Sequence, residues 1–114
     1  MTLAALLAFL GLMIPAGLPA GAVAILQPEP IRAGAGYVVN GSACSPRWGQ
    51  PCDRDTATLT FDGDLGRLAC VAYHEALHLT YGPDTAADPE DGDAWWQEDR
   101  VYRETREVVG PECP

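Results

Sequence analysis

Two histidines and a glutamate have the types and the spacing needed for metal chemistry. His74 and His78 are the only histidines, and they enclose the run His74-Glu75-Ala76-Leu77-His78. Residues four apart lie on one face of a helix, so both imidazoles can bind one metal ion, for which zinc is expected. Glu75 is then placed to accept a proton from a water on that metal. The pattern predicts two metal ligands and a general base, and its alternative is an amphipathic helix with two exposed histidines.

The neighbouring sequence predicts the elements that position this motif. Residues 56–61 alternate apolar side chains with threonines, which is typical of a half-buried strand. Asp64 is a good N-cap for a helix over residues 65–81, and Gly82 is expected to end that helix in the left-handed conformation. Residues 40–55 have no hydrophobic period and are interpreted as a loop.

A second helix is expected over residues 94–109, capped by Asp93 after an acidic loop. It has one apolar face, and Glu98 lies in the middle of that face. A carboxylate on a buried face needs a partner, and a metal ion is a good one. Glu98 is therefore predicted to be the third ligand. Tyr102, one turn later, and Tyr81, near His78, are candidates to donate a hydrogen bond to an oxyanion, and the alternative for each is an aromatic side chain that packs at an interface.

Residues 56–105 resemble the zincin metallopeptidases in the order strand, H-E-x-x-H helix, loop and second helix. The resemblance implies zinc, hydrolysis of peptide bonds, and a substrate backbone that runs along an edge strand, here residues 56–61. Glu98 matches the downstream glutamate that supplies the third ligand in gluzincins. Asp84 is the alternative, since residues 74–84 are similar to the snapalysin spacing H-E-x-x-H-x-x-G-x-x-D. In this chain the glycine falls one position late, at Gly82, and no methionine follows.

Four cysteines, Cys44, Cys52, Cys70 and Cys113, are expected to form two disulfides in a short exported chain. Three pairings are possible. Cys44 and Cys52 flank a Pro/Trp/Gly loop and can close locally, which would leave Cys70 to join Cys113.

The first 27 residues differ from the rest of the chain. Residues 2–27 carry no charge. They are interpreted as a signal peptide with a cleavage site at Ala20-Gly21-Ala22, or as a membrane anchor over residues 3–26. Either interpretation makes the protein exported, secreted or membrane-anchored, with a domain of residues 28–114 outside the cytoplasm.

The net charge of −9, with no lysine, excludes the basic surface that nucleic-acid binding needs. The sequence thus predicts an α+β, minimal zincin-like fold: a small β-sheet, an active-site helix and a ligand-bearing helix after an apolar leader or anchor. The expected partner is a peptide or protein substrate, and membrane contact is possible through the N-terminal segment. The alternative function is a non-catalytic envelope protein with a structural zinc or a degenerate site.

Overall fold

The computed structural model describes residues 1–33, 36–83 and 96–114. Its elements confirm the α+β fold, and one 3₁₀ turn, Pro46–Trp48, lies among them. In chain order they are α1 (Leu3–Phe9), β1 (Val23–Gln27), β2 (Ile31–Ala33), β3 (Tyr37–Val39), β4 (Gly41–Cys44), β5 (Thr56–Thr60), α2 (Leu65–Tyr81) and α3 (Trp96–Val108).

The central sheet has the order β1-β5-β4, and β2 and β3 form a separate antiparallel hairpin. β1 runs parallel to β5, whereas β4 runs antiparallel to it. The strand expected at residues 56–61 is present, but its assignment to a sheet edge is wrong. β5 is interior because the N-terminal segment supplies β1 on its other side. The substrate-binding edge inferred from the resemblance therefore cannot be β5.

β4 corrects a second expectation, the loop at residues 40–55. Gly41–Cys44 is a strand, and it lies at the edge of the central sheet. Its small residues have no strong strand propensity. The strand is formed through tertiary structure, because β4 pairs with β5 and packs against α2.

The two ends of α2 behave differently. Asp64 caps the helix as expected, since its side chain accepts a hydrogen bond from the Arg67 N–H. Gly82 ends the helix, but with φ 138° and ψ 173° it is not left-handed helical. The residue before a proline is restricted to extended ψ values, and Pro83 follows. Extended ψ at a strongly positive φ is a conformation that glycine adopts almost alone.

α3 begins at Trp96, whereas the sequence predicted a start at residue 94. It packs against α2 and buries Val101 and Thr105. The acidic loop, with Asp84 and the predicted cap Asp93, lies outside the described residues.

The N-terminal segment contributes to the core. Leu3 and Leu7 of α1 are fully buried, and β1 pairs with β5 along its whole length. In the ranges that the structure describes, no helix has both the length and the apolar character to cross a membrane. The interpretation of residues 1–27 as a signal peptide or an anchor stays a prediction.

Two disulfides join Cys44 to Cys52 and Cys70 to Cys113. This is the arrangement in which the first pair closes locally. Two disulfides in a chain of this size are typical of an oxidising, extracytoplasmic compartment.

Candidate metal centre

α2 presents His74 and His78 side by side. Their ring centroids are 5.0 Å apart. His78 is buried, and the His74 side chain is 16% exposed. The two rings lie on one face of α2, as the spacing of the motif predicted, and the site that they form is partly closed.

Glu98 of α3 contacts both rings. Its Oε1 is 3.0 Å from His74 Nε2, and its Oε2 is 3.0 Å from His78 Nε2. All the candidate ligand atoms lie within 4.8 Å of one another. Donors about 2.0–2.1 Å from a tetrahedral zinc are about 3.3 Å apart, and the two histidine–glutamate distances of 3.0 Å are close to that value. The cluster of His74, His78 and Glu98 can hold a metal ion.

The electrostatics of the cluster favour an ionised Glu98. Burial acts to raise its pKa, but hydrogen bonds from His74 and His78 and their charges outweigh burial and lower the pKa from 4.5 to about 2. Glu98 is therefore a carboxylate, the form that binds metal, throughout the neutral range.

His78 has a second partner at the end of its own helix. Its Nδ1 lies 3.0 Å from the Gly82 carbonyl oxygen. Nδ1 can donate to that carbonyl, which leaves Nε2 facing Glu98. Burial acts to lower the pKa of His78, but Glu98, the charge of Glu75 and the Gly82 carbonyl together raise it. A histidine that binds a metal through one ring nitrogen usually donates the N–H of the other to a carbonyl or carboxylate, as Nδ1 of His78 can do to Gly82.

Glu75 lies beside the ligand cluster and is not a member of it. It is 7% exposed, and its carboxylate is directed towards β4 next to Gly41. The three donors that could hold a metal ion thus include Glu98 and not Glu75.

The two tyrosines lie in different places. The Tyr102 ring packs edge-on against His74 at 4.7 Å and lines the cleft. The Arg100 guanidinium carbon lies 3.7 Å from the centroid of the Tyr81 ring, and Tyr81 lines a separate cavity. Of the two, only Tyr102 is brought to the histidines. Asp84, the alternative third ligand, is outside the described residues.

The cluster opens into a cleft of about 560 Å³. β4, the end of β3, and Tyr102 and Thr105 of α3 line this cleft. Among the described residues, the lining also includes Val39, Ala43, Trp48, Gln50 and Val71. Ligand sites in proteins commonly have volumes of about 300–1,000 Å³.

Sequence reasoning missed two glycines of this site. Gly82 was interpreted as a helix stop only, although its carbonyl contacts His78. Gly41 was assigned to a loop, although its backbone lies against Glu75. The run of small residues from Gly41 to Ala43 was the available signal, because glycine within a strand often marks the close approach of another group.

Comparison with models of known protein families, with curated proteins and with solved structures finds no match to this chain.

Proposed function

We propose that the protein is a zinc-dependent peptide hydrolase that acts outside the cytoplasm. The observation that carries the proposal is the separation of roles at the cleft. His74, His78 and Glu98 form a complete set of three donors, and Glu75, buried beside them, is not needed for binding. A hydrolytic metal site needs such a carboxylate beside its ligands to accept a proton from the attacking water.

The donor set supports zinc as the metal. Two imidazoles and one carboxylate are a known set for catalytic zinc, in which a fourth position stays open for water or substrate. Bound zinc would lower the pKa of a water and polarise the substrate carbonyl. Glu98 and the two imidazoles would hold the metal, and the Gly82 carbonyl would orient His78.

β4 is the proposed binding edge for the substrate backbone. The Thr60 N–H donates to the Asn40 carbonyl at 2.8 Å, so residues 40 and 60 form a hydrogen-bonded pair. Such pairs alternate along antiparallel strands, and hence the backbone groups of Gly41 and Ala43 point away from β5. An extended peptide can add to this edge as a further strand. That edge lines the cleft that holds Glu75 and the histidines.

Glu75 is the proposed general base. Its carboxylate would accept a proton from the attacking water and deliver it to the leaving amine nitrogen. The Tyr102 hydroxyl would donate a hydrogen bond to the oxygen on which negative charge develops. The two side chains lie on different elements, Glu75 on α2 and Tyr102 on α3.

Glu75→Gln tests the proposal. Glutamine keeps the shape of the side chain but cannot accept the proton, and loss of general-base catalysis costs about 100- to 10,000-fold in rate. The variant should bind one zinc ion per chain as the wild type does and fail to cleave an unstructured protein such as casein. Glu107→Gln, the same change on the exposed face of α3, is the control and should remain active.

Two other outcomes would contradict the proposal. A zinc-loaded wild type that cleaves neither casein nor a broad peptide library would favour the non-catalytic zinc protein. Equal cleavage by the wild type and Glu75→Gln would show that Glu75 is not the base.

A further inference from the structure

Gly41 occupies a position where a side chain has no room. A Cβ atom placed on it would lie 2.6 Å from Val71 Cγ1, 2.7 Å from Glu75 Oε2 and 3.0 Å from Glu75 Cγ. Carbon atoms in proteins do not approach so closely without displacing one another. The residue at position 41 therefore sets where Glu75 and Val71 can lie.

The backbone conformation does not account for this glycine. Gly41 lies within β4, and its φ is not positive, so other residues can adopt the conformation. Glycine in a strand is unfavourable in itself, because it loses more conformational entropy and packs no side chain. Glycine is required at position 41 because there is no space for a Cβ atom.

The atoms nearest to a side chain at position 41 include those of the proposed base and none of the metal ligands. The three atoms nearest to the absent Cβ come from Val71 and Glu75, and none comes from His74, His78 or Glu98. α2 and β4 pack so closely here that the Glu75 carboxylate lies directly against the β4 backbone. A side chain at position 41 would thus meet Val71 and Glu75 first.

The geometry points to Gly41 as a positioning residue for catalysis. By carrying no side chain, it lets the Glu75 carboxylate lie against the same strand whose outward backbone groups are proposed to bind the peptide. The base and the scissile bond are thereby held in a fixed position relative to each other. This inference rests on the proposed function, and it assigns to β4 a catalytic role besides binding.

Gly41→Ala in the zinc-loaded full chain tests the assignment. A displacement of about 1 Å in a reacting group can cost about 100-fold in rate. We expect kcat on a peptide substrate to fall about 100-fold while KM and zinc stoichiometry stay at wild-type values. Gly21→Ala is the matched control, because a Cβ at Gly21 meets nothing within 4 Å and its φ is not positive. Unchanged kcat in Gly41→Ala would overturn the inference.

A second-site variant separates positioning from packing. Val71→Ala in the Gly41→Ala background removes the crowding with Val71 and leaves the crowding with Glu75. It should restore thermal stability without restoring kcat. Recovery of kcat would show that Val71, and not Glu75, transmits the effect.

Crystal structures of the zinc-loaded wild type and Gly41→Ala give a result that does not depend on activity. The Glu75 carboxylate should move away from β4 while the three ligands keep their positions. If the wild type hydrolyses nothing, the proposed function fails, and the position of Glu75 still decides this assignment. Should Gly41→Ala not fold, the double variant Gly41→Ala, Val71→Ala serves for the same comparison, and a Glu75 carboxylate in its wild-type position there would overturn the inference.

Discussion

The Nδ1 of His78 lies 3.0 Å from the carbonyl oxygen of Gly82, the residue at which the same helix ends. The residue that ends the helix therefore also orients the ring of a candidate metal ligand. Gly82 takes φ 138°, which permits the carbonyl to turn towards the ring while its own N–H donates to the His78 carbonyl oxygen at 2.7 Å.

Gly82→Ala should weaken zinc binding. A side chain at this φ and ψ costs about 1–3 kcal/mol in strain. Loss of the partner of a metal-binding histidine typically costs about 10- to 100-fold in affinity. Zinc affinity measured against a competing chelator should fall by that factor. Gly63→Ala is the control, since Gly63 also has a positive φ, 100°, but no atom within 4 Å of its Cβ position. Equal zinc affinity in the two variants would contradict the role given to Gly82.

Glu98 should contribute far more to zinc affinity than its neighbours on α3. Glu98→Ala removes one of three donors and should lower zinc affinity by about 100-fold or more, beyond the effect of losing an outer-shell partner. Asp99→Ala, at the adjacent exposed position, should leave zinc affinity within about twofold of the wild-type value. Asp84→Ala completes the comparison. A larger loss in Asp84→Ala than in Glu98→Ala would favour the snapalysin-like ligand set.

The parts of this site that the sequence predicted are local. One turn of helix separates His74 from His78, and the apolar face around Glu98 is likewise a periodic feature of one helix. The Asp64 cap depends only on the first turn of α2. Helical periodicity fixes which residues share a face, so these predictions need no knowledge of the rest of the fold.

The parts that were missed depend on tertiary contacts. Gly41 and Ala43 form a strand because β5 and α2 pack against them, and their own propensity gives no sign of it. Residues 23–27 pair with β5, yet the same uncharged composition also suits an export signal. The conformation of Gly82 follows from Pro83 and from the contact with His78, which single-residue preferences do not report.

Without zinc, the contacts of Glu98 with the histidines should make the free energy of unfolding fall both at low pH and at high pH. The pKa of Glu98 is lowered from 4.5 to about 2, so its contribution is complete above pH 4.5 and is lost as the pH falls towards 2. The pKa of His78 is raised above 6.5, so its contribution is complete below pH 6.5 and is lost as the pH rises through the raised pKa. The stabilisation should therefore be greatest between pH 4.5 and 6.5.

Urea unfolding of the wild type and Glu98→Gln in the presence of a chelator measures this contribution. The difference in the free energy of unfolding should be largest near pH 5.5 and smaller at pH 3 and pH 8.5. With zinc the stability should instead increase towards pH 8, because the metal must displace the proton on His78. A difference between the two proteins that is constant across this range would contradict the pairing of Glu98 with His78.

Leu7 and Phe9 offer a direct test of whether the N-terminal segment belongs to the folded protein. Leu7 is fully buried among core residues, whereas Phe9, two positions later on the same short helix, is 76% exposed. In the full-length chain, Leu7→Ala should lower the free energy of unfolding by about 2–5 kcal/mol through lost burial and the cavity that remains. Phe9→Ala should change it by no more than about 0.5 kcal/mol, as is usual for surface positions. If urea unfolds both variants and the wild type at the same concentration, residues 1–22 are not part of the stable domain. The signal-peptide interpretation would then be favoured, and β1, which begins at Val23, would remain as the neighbour of β5.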